Sequence, residues 1–344
     1  MQCRLLGRSG LMVPPFGFGT GTFGGKGWFA ALGNTGVEEA RRLVDICIDH
    51  GVTLFDTADA YSEGVAEEVL GAAVKDRRTK VLITTKVGGR MGPGPNDVGL
   101  SRQHIMAACE ASLHRLGTDY IDLYLAHMID SLIPMEETCR AFDDLIRQGK
   151  VRYVGCSNFS AWQTMKAVLT SDRLGFSRYI AQQIHYSLLT RDPEWELIPM
   201  GVNQGVGVMA WSPLSNGLLS GKFHRGAPPL AESRQAVAET VFGIDWERLY
   251  RIVEVLKSLA VSRGATPAQV ALNWVRSKPG VDTVIIGARN EQQLRDNLGA
   301  AGWELSAEEV ARLDEVSATP QPYPYAFQQK FASERNPCLP SRRS

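Results

Sequence analysis

The sequence predicts an α/β fold: a closed (β/α)8 barrel of the TIM type, with an N-terminal β-hairpin and a C-terminal extension. Three observations lead there. Short apolar runs alternate with stretches of helical period from residue 15 to about residue 316. Eight such runs can be counted, and eight favours closure into a barrel over an open, doubly wound sheet. Several runs are apolar along their whole length, as expected where helices cover a parallel sheet. No shift in composition marks a second domain. The expectation is one domain over 1–344, with its core at about 15–318, a hairpin at 1–14 and a tail at 319–344.

Each element follows from local chemistry. Residues 1–14 carry two short apolar pieces around "GRSG", a hairpin pattern. "PFGFG" is the first barrel strand and breaks into a glycine-rich loop. The first helix, 36–51, has Ala40, Leu43, Val44, Ile46 and Cys47 at helical spacing and ends at Gly51. Strands then follow at 52–58, 80–87, 120–127, 151–157, 179–187, 205–213 and 281–287. Helices fall at 64–74, 101–117, 135–150, 160–169 and 193–202, then at 245–264, 266–280, 290–302 and 306–316. Ser101 is placed to cap its helix. Thr266 before Pro267 is a start signal, and Ser306 with Glu309 has capping-box spacing. Residues 215–245, rich in small and polar types, read as a long loop over one face. The tail "TPQPYPYAFQQKFASERNPCLPSRRS" reads as irregular and wrapped on the barrel, its last residues loose.

Composition excludes several classes. Thirty-seven basic side chains balance thirty-seven acidic ones, leaving no electrostatic footprint for nucleic acid or an anionic membrane. No apolar run approaches the roughly 18 residues of a membrane span, and "MQCRLLGRSG" lacks the apolar core of a signal peptide. Six scattered cysteines without a CxxC pair fit a reducing compartment, so a cytoplasmic protein is expected. His and Asp are too dispersed for a metal site. The glycines at 17–25 do not form a phosphate loop, because GxxxxGK would require glycine at Thr20, and Lys26 precedes glycine.

In a parallel barrel the chemistry sits at the C-terminal strand ends. Those ends carry Gly17, Gly19 and Gly21; Asp56, with Asp59 and Tyr61 just beyond; Lys86; His127; Ser157 and Asn158; Gln182 and Gln183; Trp211 and Ser212; and "GARN", which opens a helix. Each alone has an ordinary explanation, a helix cap or a structural histidine. Lys86 after "VLITT" is harder to explain away, since a buried ammonium needs a carboxylate such as Asp56. A cation there should also lower the pKa of a neighbouring phenol, making Tyr61 a proton donor near neutral pH.

"GFGT", "FDTADAY", "TTK", "LYLAH", "GCSNF", "QQIHYSLL", "WSPLSNGLLSGKF", "TPAQVALNW" and "IIGARNEQQLRDNL" resemble, in order, the segments of the aldo-keto reductase superfamily over residues 4–316. "QQIHYSLL" and "NGLLSGKF" look most like its bacterial and voltage-gated potassium-channel β-subunit-like branches. The resemblance implies hydride transfer from NADPH, sometimes NADH, to a small-molecule aldehyde or ketone. It implies Tyr61 as general acid, Lys86 as its partner, Asp56 as the carboxylate on that lysine, and His127 as the group orienting the carbonyl. It also implies cofactor contacts. Gly19 and Thr20 belong to the first strand end, and Ser157, Asn158 and Gln183 would hold the carboxamide. Trp211 would stack on the ring, and Ser212, Leu214 and Lys222 would line the pyrophosphate. Gly287, Arg289, Gln293 and Asn297 would hold the adenosine end.

The chain departs from the family pattern at Gly21, where many members carry an aromatic. A wall of the pocket would then be missing or supplied by Phe23, Trp28 or Phe29, and Met128, directly after His127, joins the substrate pocket. Glycine and glutamine replace two basic residues at Gly287 and Gln293, leaving Arg289 for a 2′-phosphate. His185 is equally consistent with pocket and filler. The alternatives to a reductase are a cofactor-binding regulatory subunit with slow turnover and a metal-dependent barrel hydrolase or isomerase.

Overall fold

A computed structural model describes residues 1–223, 225 and 243–335. Strands β1 (Arg4–Leu5) and β2 (Met12–Val13) form an antiparallel hairpin. Strands β3 (Phe16–Gly19), β4 (Leu54–Asp56), β5 (Leu82–Val87), β6 (Ile121–Ala126), β7 (Val151–Ser157), β8 (Tyr179–His185), β9 (Gly207–Trp211) and β10 (Val281–Ile286) close into a parallel barrel in sequence order, with β10 beside β3. The helices are α1 (Val37–Asp49), α2 (Val65–Val74), α3 (Arg102–Leu116), α4 (Met135–Arg147), α5 (Ala161–Leu174), α6 (Leu197–Gln204), α7 (Trp246–Arg263), α8 (Pro267–Ser277), α9 (Glu291–Leu298), α10 (Ala307–Val316) and α11 (Tyr325–Arg335). The fold is the (β/α)8 barrel that the alternation implied.

Helix boundaries follow capping chemistry. The Ser101 side chain accepts from the His104 N–H. Thr266 with Gln269, and Ser306 with Glu309, close reciprocal capping boxes. Helix α5 runs to Leu174, past the expected 169, and stops at left-handed Gly175. The expected helix at 193–202 is a turn at Asp192–Glu194 followed by α6; starting at Leu197 places Pro199 in the first turn, where its missing N–H costs no hydrogen bond. The tail is not irregular throughout, since α11 forms beyond Pro324. Its Tyr325 ring stacks on Trp195 at 5.9 Å and its hydroxyl donates to Glu196 Oε1 at 2.6 Å. The expectations for most of the long loop and for the last residues fall on 224, 226–242 and 336–344, outside the described residues.

Two apolar layers result. The larger core lies between the strands and the helices; the smaller fills the barrel with Leu54, Leu123, Leu125, Ala181, Met209 and Ile285. Leu6 and Val13 of the hairpin join this inner cluster. The hairpin is tied to the N-terminal ends of the strands. The Gly7 N–H donates to Asp282 Oδ2 at 2.9 Å, Arg8 N to Gly205 O at 2.9 Å, and Arg4 Nη1 to Val281 O at 3.2 Å. Gly7 sits at φ 58°, and a Cβ there would lie 2.4 Å from Gly205 O, so no other residue fits.

Candidate active site

Strand alternation places the site. Side chains at i and i+2 share a face. Two residues after the inward Leu54, Leu125, Ala181, Met209 and Ile285 come Asp56, His127, Gln183, Trp211 and Gly287. The register sets Gly19 beside Asp56, Asp56 beside Thr84, Ser157 beside Gln183, and His185 beside Trp211. The barrel is therefore closed by apolar layers below and ends in a polar layer at its mouth.

At the centre of that layer is Lys86, fully buried. Its ammonium donates to Asp56 Oδ2 at 2.8 Å, to Thr57 O at 2.6 Å and to Tyr61 Oη at 3.2 Å. These three acceptors satisfy its three donors. The other Asp56 oxygen, Oδ1, accepts from Gln183 Nε2 at 2.6 Å. Thr20 braces the strand beneath, its N–H and Oγ1 both donating to Asp56 O at 2.8 and 3.1 Å. The His127 ring meets Tyr61 at 5.8 Å, nearly edge-on. Its Nδ1 is buried without a hydrogen-bond partner.

Electrostatics follow from burial and pairing. Burial alone would push Lys86 down, but the Asp56 carboxylate and Tyr61 more than reverse this, and the ammonium is held above its ordinary value. For Tyr61 the expected lowering is overturned. Burial raises the phenol above its usual value, and the pull of Lys86 does not outweigh it. Tyr61 therefore keeps its proton at neutral pH. Burial, and then Lys86, pushes His127 down to about 3, so it is a neutral donor. Burial pushes the Asp59 carboxyl up to about 8, and Glu67 adds to it.

The remaining candidates divide by position. The Ser157 hydroxyl donates to Gln183 O at 3.0 Å, and Asn158 Nδ2 donates to His127 O at 3.0 Å, so both brace the rim as well as facing it. Gln183 is engaged with Asp56, a contact that no motif suggested. His185 stacks on Trp211 at 4.5 Å. Ser212 Oγ accepts from the Asn216 N–H at 3.2 Å; Leu214 is half-buried and Lys222 exposed. Gln293 Oε1 accepts the Arg289 N–H at 3.0 Å, and Asn297 Nδ2 donates to Gly287 O at 3.0 Å, so these two shape the loop that carries Arg289.

The pocket wall needs one correction. Phe23 does not line it. The chain reverses through Gly24 and Gly25, at φ 87° and 66°, and buries Phe23 in the core against Phe18. The ring beside Tyr61 is that of Phe29, 4.7 Å from it, with exposed Trp28 edge-on behind it at 5.0 Å. Met128 is exposed beside His127.

The backbone marks the same face. Among the described residues, the non-glycine residues at positive φ are Ser62, Glu63, Asn158, Ser212, Ser215 and Asn216, all in loops that leave the C-terminal ends of β4, β7 and β9. Strained backbone of this kind gathers where a ligand must be held. With the buried, unpartnered His127 Nδ1, it fits a mouth shaped for a bound group.

Residues 15–318 match the model of the aldo/keto reductase family. A probable voltage-gated potassium channel subunit beta of Arabidopsis thaliana is 40% identical over 87% of this chain and 91% of its own length. A putative voltage-gated potassium channel subunit beta of Schizosaccharomyces pombe is 37% identical over 91% of this chain and 92% of its own. The uncharacterized oxidoreductase YrpG of Bacillus subtilis is 36% identical over 93% and 97%.

Proposed function

The chain belongs to the aldo/keto reductase family, and from that premise we propose that it reduces an aldehyde or ketone to the alcohol at the Tyr61 mouth, with NADPH, or NADH, as the reductant. One observation carries the reading: a buried ammonium, fixed by Asp56, that donates to Tyr61 Oη. Ser157, Asn158 and Gln183 would hold the nicotinamide end, with Trp211 against its ring and Gly19 and Thr20 beneath. Ser212, Leu214 and Lys222 would follow the pyrophosphate, and Gly287, Arg289, Gln293 and Asn297 the adenosine end. A dinucleotide held by these residues would supply the hydride that a carbonyl reduction needs.

The chain's own residues handle the oxygen. Neutral His127 orients the carbonyl by donating a hydrogen bond. Tyr61 gives its phenolic proton to the oxygen as charge builds there. Lys86 stabilises the phenolate left behind, and Asp56 keeps Lys86 charged and in place. Phe29 and Met128 flank the approach. Because Tyr61 is not acidic beforehand, the ammonium acts on the charge that forms rather than on the resting phenol.

A second reading is a cofactor-binding regulatory subunit with slow redox turnover. The relatives named as channel β subunits favour it, and by name they support it better than the first; the intact Tyr61–Lys86–Asp56–His127 set favours the reductase. Following NADPH oxidation against a panel of small aldehydes separates them. The reductase reading expects turnover that depends on Tyr61. Tight cofactor binding with negligible turnover across the panel would sink it in favour of the regulator.

A further inference from the structure

Arg289 lies at the adenosine end of the cleft, yet its guanidinium reaches across to the aromatic wall. Nε donates to Leu32 O at 3.2 Å and Nη2 to Ala31 O at 3.3 Å. Those carbonyls end the turn Gly27–Ala31, which presents Trp28 and Phe29. Phe29 in turn packs on Tyr61. A second tie runs alongside, from Thr22 Oγ1 to Ala288 O at 3.2 Å. One side chain thus joins a loop after β10 to the loop after β3, over 257 residues of sequence.

We infer that Arg289 couples the two ends of the cleft: a 2′-phosphorylated adenosine nucleotide draws the guanidinium off the Ala31 and Leu32 carbonyls and frees the wall over Tyr61, whereas a nucleotide without that phosphate leaves the wall tethered. The inference rests on the cofactor reading proposed above. Its physical basis is the unequal strength of the competing acceptors. Two neutral carbonyls at 3.2–3.3 Å make long, weak bonds. A phosphate dianion takes a guanidinium in charge-assisted, bidentate fashion and is the stronger acceptor. Substrate fit would then depend on which dinucleotide occupies the cleft.

Hydrogen–deuterium exchange of the peptide spanning 24–36 tests this without turnover. Saturating adenosine 2′,5′-bisphosphate should speed exchange at 27–33 by roughly threefold or more, while adenosine 5′-monophosphate should not. Arg289→Ala should exchange fast in the free protein and ignore both nucleotides. If calorimetry shows the bisphosphate bound while exchange is unchanged or slowed, the coupling is wrong and the cofactor reading stands. If the bisphosphate does not bind, the coupling falls, and NADH-dependent turnover then decides the cofactor reading separately.

Discussion

Strand β5 carries two buried charge networks on opposite faces, from consecutive residues. Inward, Lys86 joins Asp56 and Tyr61. Outward, Thr85 Oγ1 donates to Glu67 Oε1 at 2.5 Å, and Glu67 Oε2 accepts from Arg115 Nε at 2.7 Å. Arg115 also reaches Ser112 at 3.2 Å, so the outer network ties α2 and α3 to the barrel. The Asp59 carboxyl, fully buried, lies in charge range of Glu67, of Arg115 and of Lys86, between the two networks. Both networks pair a cation with an anion out of water. What separates them is access, for the inner one ends at a half-buried phenol facing the mouth, while the outer one is sealed under helices. A buried ion pair alone therefore does not mark a site; an ion pair that ends on a reachable proton does.

Substitutions test that division. The largest effect is expected from Lys86→Met, which leaves Asp56 buried without its ammonium. Stability should drop by about 3–5 kcal/mol in urea unfolding, and reduction should vanish. Tyr61→Phe should lose about 10²–10⁴-fold in turnover and keep cofactor binding, with unfolding free energy changed by less than about 1 kcal/mol. Glu67→Leu should show the converse: a loss of about 3 kcal/mol with turnover per folded molecule within about twofold of the parent. A Glu67 variant that stays stable but turns over slowly would erase the distinction between the faces.

The last test concerns pH rather than turnover. Asp59 has a folded value of about 8, above the roughly 3.9 of an unfolded chain. The folded state thus binds the extra proton between those values. Asp59's contribution is intact below about pH 4 and is lost as pH rises through about 8. Asp59→Asn should flatten that decline and leave the variant more stable than the parent at pH 9, read as a smaller fall in melting temperature. A steeper fall in the variant would show that Asp59 is a paired anion in the fold.

Much of this was legible in the sequence, and the misses have physical causes. Parallel strands buried on both faces announce themselves as apolar runs, so the barrel and the level of Asp56, Lys86 and His127 could be read from strand ends. The Tyr61 proton affinity could not, because charge proximity is visible in a motif whereas burial depends on the finished fold. The burial of Phe23 is not visible in the sequence, because two consecutive left-handed glycines reverse the chain after it. Helix α11 is hidden in the sequence by the prolines that precede its eleven residues. Glu67 left a usable signal: it shares a helix face with Leu70, Gly71 and Val74, all buried, and a carboxylate on an apolar stripe requires a partner.

The N-terminal hairpin has a bearing on synthesis. The Gly7 anchor is a side chain of the final strand, 275 residues later. During synthesis the hairpin must wait for the 275 residues that separate it from this anchor before it can dock, leaving Leu6 and Val13 bare meanwhile. Trimming the hairpin should therefore harm the finished barrel while sparing the nascent chain one sticky surface, and aggregation during translation is where its burden would be felt.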